Sequence, residues 1–541
     1  MTALVVRSVD LQVINKQFLQ TQGAKRHIST IPVSTYRGKI FDRHGEIMAI
    51  SSPVQSVWVN PQELDRSQIP KLEQMVQLLD LPQKKVDILN EENSKRRFAY
   101  LKRRISPELA DKVKKMKISG IYFEREFKRF YPAGAMSAHL IGFTSIDDVG
   151  QEGIELAYEQ SLKGQDGRKR VIRDGRRRII EDIESIKEPV PGKDLTLSID
   201  RRIQYLAFRE LQKSFIEEQA KSASLVVLDA KTGEVLAAVT QPAFNPNSRR
   251  KLSRDIYRNR AITDVFEPGS TMKPFVVAAA LDGGYVKEDA QIQTNGSYQI
   301  GRNWVRDGHN YGLLSLTKVL KKSSNVATSK ISLLMPDEYL WRIYNGLGFG
   351  KSANVGFPGE AHGSLLELMK WYDFAQATLS FGYGLSTSTL QLARAYTALA
   401  DDGILHSVSL LKREHDHDAK RIFKADTARK VRKMLEHVIM RGGTATRAKV
   451  SGYRVAGKTG TVKKANKGGY SKKDYFSVFV GMAPASNPRF VIAVMVDEPS
   501  KDKYYGGLIA APVFSKVMTG TLRIYGIEPD KEGNAPKPLT K

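Results

Sequence analysis

The chain has 541 residues, enough to bury more than one hydrophobic core, so two or more domains are expected. Its 85 Lys and Arg against 58 Asp and Glu give a formal net charge of +27, which suits anionic partners (membrane lipid, cell-wall polymer or nucleic acid) without choosing among them. The absence of cysteine excludes a disulfide framework, a Cys-ligated metal and a Cys nucleophile.

Leu4, Val5, Val6, Val9, Leu11, Val13 and Ile14 open the chain, but Arg7 and Asp10 break the run. It falls short of the ~20 apolar residues that a spanning helix needs, and it lacks the layout of a signal peptide. From about Gln20 to Pro191 the chain is rich in charge, with short mixed elements. The basic runs Lys112–Lys117 and Lys169–Arg178 read first as solvated faces and second as contacts to anionic wall or lipid. Leu195-Thr-Leu-Ser-Ile199 begins a second domain, followed by an apolar-periodic stretch from Ile203 to Phe215. Leu225–Leu228, a turn at Asp229–Gly233 and Val235–Val239 predict a β-hairpin. Val431, Met434, Leu435, Val438 and Ile439 recur with the period of an amphipathic helix. Strands are expected at Lys458, Tyr475–Val480 and Phe490–Val496, and Pro512 is expected to open a C-terminal helix. Strands joined by short connections favour an antiparallel sheet, against which the helical middle must pack, so the fold class is α+β. The boundaries expected are 1–19, 20–194, 195–529 and a loose polar tail, 530–541.

Three short strings within 195–529 carry chemistry. In the first, Ser270-Thr-Met-Lys273, Ser270 follows Glu267-Pro268-Gly269 and precedes the apolar run Phe275–Leu281, which stops at Gly283-Gly284. This predicts a buried helix starting at Ser270, with Pro274 tolerated in its first turn. Residues three apart share a helix face, so Lys273 sits beside Ser270. A serine hydroxyl is a weak nucleophile until a base lies within hydrogen-bond reach, and Lys273 is placed to be that base. The second string, Ser323-Ser-Asn325, lies in a polar turn between helical stretches. The third, Lys458-Thr-Gly-Thr461, follows an extended segment; in a strand, Lys458 and Gly460 share one side, and Thr459 and Thr461 the other. Gly460 is expected to leave room for a peptide substrate beside the strand. Each string alone recurs by chance in long chains; here all three occur in order, each in the local context its role needs.

Together the strings resemble the signature set of penicillin-binding proteins and serine β-lactamases. Nearly the whole chain, from about Leu11 to Pro529, resembles the class B penicillin-binding proteins, and within them the division-type, FtsI-like peptidoglycan D,D-transpeptidases. The likeness extends to Tyr36-Arg-Gly-Lys-Ile-Phe-Asp-Arg-His-Gly45, Arg129-Phe-Tyr-Pro-Ala-Gly134, Gly150-Gln-Glu-Gly-Ile-Glu155, Asn259-Arg-Ala-Ile-Thr263, Ser380-Phe-Gly-Tyr-Gly384 and Tyr504-Tyr-Gly-Gly507. Asn310-Tyr-Gly312 and Ala483-Pro-Ala-Ser-Asn-Pro-Arg489 resemble the division enzyme more than its elongation relative.

The resemblance implies a transpeptidase domain, an antiparallel sheet with helices on both faces, behind an N-terminal pedestal that docks partner proteins. It implies acyl transfer from peptidoglycan stem peptides through an ester on Ser270, with covalent inhibition by β-lactams and residual carboxypeptidase activity. Lys273 is implied as general base, Ser323 and Lys458 as proton relay and electrostatic groups, and Asn325 as a holder of the substrate backbone. Thr459, Gly460 and Thr461 are implied in substrate binding, and the backbone N–H groups of Ser270 and Thr461 as an oxyanion hole. No metal or organic cofactor is implied. The implied partners are lipid II-derived glycan, division proteins including an FtsW-like SEDS-type polymerase, and the inner membrane. Residues 1–19 stand where the family carries its single-pass anchor, and read as its remnant, with the catalytic domain in the periplasm. An elongation-type transpeptidase, a serine β-lactamase and a non-catalytic wall-binding module are the alternatives. Nucleic-acid binding would rest on charge alone.

Three further segments each carry two readings. Glu414-His-Asp-His-Asp418 reads first as a solvated loop and second as a metal site, and Gly442-Gly443-Thr444 reads first as a helix C-cap and second as cleft wall. Tyr504-Tyr505 borders the groove or belongs to the core.

Overall fold

The computed structural model describes residues 28–91, 94–173, 179–248, 253–413, 415, 418–466, 469–499 and 503–531. The anchor reading of 1–19, part of the basic run ending at Arg178, most of the 414–418 cluster and most of the polar tail lie outside these residues. Among the described residues, no helix is long and apolar enough to cross a membrane.

Five strands form the main sheet: β1 (Ser222–Asp229), β2 (Val235–Gln241), β3 (Ala456–Asn466), β4 (Gly469–Ala483) and β5 (Phe490–Asp497). Their spatial order is β2-β1-β5-β4-β3, every neighbour antiparallel, which leaves β3 at an edge. The runs Leu225–Leu228 and Phe490–Val496 are continuously apolar because both faces of these strands are buried.

The helices that frame the sheet and the site are α1 (Arg201–Glu217), α2 (Lys273–Asp282), α3 (Leu316–Lys322), α4 (Asn325–Ser332), α5 (Thr389–Ala400), α6 (Ala425–Glu436) and α7 (Gly506–Ile524). Helices α1 and α7 pack on one face of the sheet, α5 and α6 cover the other, and α2 packs against α4 and α6. The expected α+β architecture with helices on both faces is what the chain adopts. Asp200 caps α1 by accepting from Arg202 N (3.0 Å), and a reciprocal Ser388–Gln391 box caps α5. Helix α2 is apolar on all sides because it is enclosed on all sides.

Three boundaries differ from expectation. Ser270 lies in a 3₁₀ turn, Gly269–Met272, and the α-helix starts only at Lys273. Helix α6 ends at Glu436, so Val438 and Ile439 reach the core from the turns beyond it. Pro512 sits inside α7 rather than at its start, although it removes one N–H from the ladder. The helix begins earlier because Gly506 is wedged against β3 and β4, where an added Cβ would lie 2.2 Å from Val478 O and 2.4 Å from Gly460 O.

The N-terminal module is built on the long strand Ile47–Val59, paired with Ala99–Ile105 and Ile121–Phe130. Helices Ile69–Leu79 and Pro107–Lys115 contribute Met75, Leu79, Ala110 and Val113 to its own core, with Val57, Val59 and Leu101. A separate three-stranded sheet joins Ile28–Val33, Gly167–Arg173 and Ile179–Lys187. Ile40–Phe41 pairs in parallel with Leu195–Thr196, and Ile40, Met48 and Leu140 share one cluster with Leu197 and Ile203. The two modules are therefore joined by backbone pairing as well as by apolar contact.

Beside that junction Glu155 is fully buried and accepts from Arg37 Nε (2.5 Å) and Arg129 Nε (2.6 Å). Glu155→Ala would leave two buried guanidinium groups without their shared carboxylate, and is expected to cost about 3–5 kcal/mol in a denaturant titration. A change below about 1 kcal/mol would contradict this role.

Candidate active site

The three strings, which begin at residues 270, 323 and 458, meet at one cleft. Ser270, Ser323, Thr444, Thr459, Thr461 and Tyr505 line it, around a volume of about 450 Å³. The Ser270 turn is held from three sides. Tyr396 OH donates to Thr271 O (2.7 Å), Thr271 Oγ1 donates to Pro268 O (2.8 Å), and Gly269 N donates to Gly382 O (3.1 Å). Gly269 has φ +56°, and a Cβ there would meet Val462 Cγ2 at 2.4 Å, so only glycine lets the turn lie against β3. Gly460 completes this packing. A Cβ on it would lie 2.9 Å from Pro268 O, so glycine at this position also serves the approach of the turn to β3.

Ser323 is the C-cap of α3, in left-handed backbone (φ 60°, ψ 41°), and Ser324 is the N-cap of α4. This kink aims the Ser323 side chain at two lysines. Lys458 Nζ donates to Ser323 Oγ at 2.9 Å, and Lys273 Nζ lies 3.1 Å from the same hydroxyl, where a neutral amine accepts the Ser323 O–H. Lys273 Nζ also donates to Asn325 Oδ1 (2.7 Å) and to Ser323 O (2.5 Å), so its contacts run to the second string rather than to Ser270. Both lysines are fully buried. Burial first, and then the neighbouring Lys458 charge, hold Lys273 well below the ordinary lysine range, with Asp307 opposing. Burial brings Lys458 down to about 7.

Thr459 and Thr461 stand on the other side of β3. Thr459 Oγ1 shares a hydrogen bond with Thr444 Oγ1 (2.8 Å), and Thr461 Oγ1 accepts from Gly506 N (3.1 Å). Thr444 is thus cleft wall, and Tyr505, 55% exposed, borders the cleft.

Asp307 was not legible in the sequence. Its Oδ2 accepts from Ser324 Oγ (2.5 Å), and its Oδ1 accepts from Asn325 N (2.6 Å) and Val326 N (3.2 Å). One carboxylate so fixes the start of α4, where backbone N–H groups lack helical partners. It lies 16 residues before Ser323 in an irregular stretch, and no spacing rule points to it.

A family model for the penicillin binding protein transpeptidase domain matches residues 223–519, and one for the penicillin-binding protein dimerisation domain matches residues 32–197. The chain is 44% identical over 533 residues to the probable peptidoglycan D,D-transpeptidase PenA of Neisseria meningitidis serogroup A, covering 98% of this chain and 91% of that protein. It is 41% identical over 531 residues to the peptidoglycan D,D-transpeptidase FtsI of Escherichia coli K12, covering 97% and 90%. Among solved structures, the apo transpeptidase domain of Burkholderia pseudomallei penicillin-binding protein 3 is 43% identical with a TM-score of 0.58, covering 62% of this chain and 98% of that one. A peptidoglycan synthetase from Bifidobacterium adolescentis, 23% identical, shares the fold at a TM-score of 0.75 over 94% of this chain and 98% of its own.

Asp307→Ala is expected to lower stability by about 1–3 kcal/mol, the cost of leaving its buried donors unpaired. Fluorescent-penicillin acylation should slow with it, because Ser323 and Asn325 lose their support. An unchanged acylation rate in stopped-flow measurements would show that Asp307 does not position them.

Proposed function

Because the chain belongs to the penicillin-binding protein transpeptidase family, we propose that it is a class B peptidoglycan D,D-transpeptidase that cross-links stem peptides at the division septum. The observation that carries the chemistry is the Ser323 hydroxyl held between two buried lysines, in the same cleft as Ser270.

Ser270 Oγ attacks the penultimate D-alanine carbonyl, and its proton passes to neutral Lys273, which comes within hydrogen-bond reach of Ser270 in the substrate complex. The oxyanion takes up hydrogen bonds from the backbone N–H groups of Ser270 and Thr461, each worth ~10²–10³ in rate. The proton reaches the leaving D-alanine amine through Ser323, and the C–N bond breaks to leave an ester on Ser270. The amine of a neighbouring stem then attacks that ester, its proton returns to Ser270 Oγ through the same groups, and the cross-link forms. Asn325 holds the substrate backbone through its remaining N–H, Thr459 and Thr461 bind the terminal carboxylate, and Lys458 supplies charge. A β-lactam enters the first step and stalls at the ester.

The division role is supported by likeness to FtsI and PenA over nearly the full chain, and by the segments at Asn310 and Ala483. In this reading the catalytic module works in the periplasm, tethered to the inner membrane, while the N-terminal module docks division proteins and an FtsW-like glycan polymerase. Fused behind a spanning helix, the chain is expected to rescue filamenting cells depleted of their division transpeptidase. Rescue instead of cells lacking the elongation enzyme would overturn the septal assignment and leave the chemistry standing.

Intact-mass spectra should show one penicillin adduct, lost in Ser270→Ala; an adduct on another serine would refute the nucleophile. Acylation requires Lys273 without its proton, so its rate should rise with pH and level off below the ordinary lysine pKa. Lys273→Arg should lower the rate by about 10²–10⁴, since guanidinium stays protonated, whereas Lys458→Arg keeps part of it. Equal rates in both variants would contradict these roles.

A further inference from the structure

Glu267 stands three residues before Ser270, so their Cα atoms lie at most about 11 Å apart. Its Oε1 accepts from Gly384 N (2.9 Å) and from the Tyr470 hydroxyl (3.1 Å). Its Oε2 is buried and, among the described residues, has no hydrogen-bond partner. Two other buried carboxylates are met by cations, Glu155 by Arg37 and Arg129, and Asp497 by Lys464. Among the described residues Glu267 has none, in a chain whose net charge is +27. Burial raises its carboxyl above the usual range, as expected where counter-charge is lacking. A buried oxygen left unpaired is costly, and an arriving cation removes that cost. Tyr470, which holds Oε1, is half exposed on β4 and stands edge-on to Tyr383 at 5.2 Å.

We infer that Glu267 is a recognition residue for the primary ammonium of a peptidoglycan stem peptide, reached when Tyr470 turns aside. This rests on the transpeptidase reading. Cross-linking joins like stems through an amine, so both acyl donor and acyl acceptor carry that ammonium. The carboxylate three residues from the nucleophile selects for it in one of them.

The test compares the full chain with Glu267→Gln, which keeps an oxygen for Gly384 N and Tyr470 but carries no charge. In the acceptor arm, a thioester-derived acyl-enzyme is resolved by Nα-acetyl-lysine amide or by hydroxylamine, which is uncharged at neutral pH. In the donor arm, a peptide thioester acylates with its lysine side chain free or acetylated. The unaltered protein should prefer the cationic partner by about tenfold in KM in one arm, and Glu267→Gln should lose that preference there. The arm that responds identifies the source of the ammonium. Tyr470→Phe, which keeps the ring and frees the carboxylate from its hydrogen bond, should sharpen the preference. A preference that survives Glu267→Gln in both arms, or an equal loss with charged and uncharged partners, overturns the inference. Protein that takes no penicillin label contradicts the transpeptidase reading instead; label without a charge preference contradicts only the role of Glu267.

Discussion

Two buried lysine amines share one serine hydroxyl, and much of the catalytic module is arranged to keep them there. Two adjacent cations could not both be buried in an apolar interior without a large desolvation and repulsion cost. The protein resolves the conflict by depressing both amines, Lys458 to about 7 and Lys273 well below the ordinary range. A group ordinarily inert as a base at neutral pH thereby becomes one. The environment that stores this instability must be rigid, because solvent reaching either Nζ would restore the proton.

That rigidity is visible in the elements around the site. Helix α2 is enclosed on all sides and brings Lys273 into the interior at its first residue. Lys458 is carried by an edge strand whose outer side is closed by the Ser270 turn, with Gly269, Gly382 and Gly460 permitting backbone-to-backbone approach. Asp307 ties the start of α4 to the chain before α3, fixing Ser323 and Asn325 as one unit. The same carboxylate offsets part of the depression of Lys273, so its placement serves both geometry and charge. On the far side of β3, Thr444 and Gly506 orient the two threonine hydroxyls.

What the sequence made legible was whatever short-range spacing could encode. The paired apolar runs at Leu225 and Val235 gave the hairpin, and the three strings gave both lysines that contact the Ser323 hydroxyl, but not Asp307, which fixes the start of α4 beside it. Asp307 escaped because its partners lie 17 to 19 residues away through irregular chain, where no period applies. Glu267 escaped in a different way: it was visible as context for Ser270, but its missing counter-charge exists only in three dimensions. Pro512 misled because a proline inside a helix obeys local propensity less than the packing of Gly506 on the sheet. Gly460 was read for substrate approach alone, and its second duty, the close packing of the Ser270 turn on β3, exists only in three dimensions.

Catalysis at this site requires Lys273 to be neutral where an ordinary lysine is charged. Lysine side chains carrying ¹³C at Cε, observed by NMR across a pH titration, report each amine separately once Lys273→Met and Lys458→Met spectra assign the signals. One resonance, absent from the Lys273→Met spectrum, is expected to titrate well below the remaining lysines and to move upward in Lys458→Met as the neighbouring charge is removed. A Lys273 resonance titrating with the exposed lysines, unchanged by Lys458→Met, would contradict a neutral Lys273.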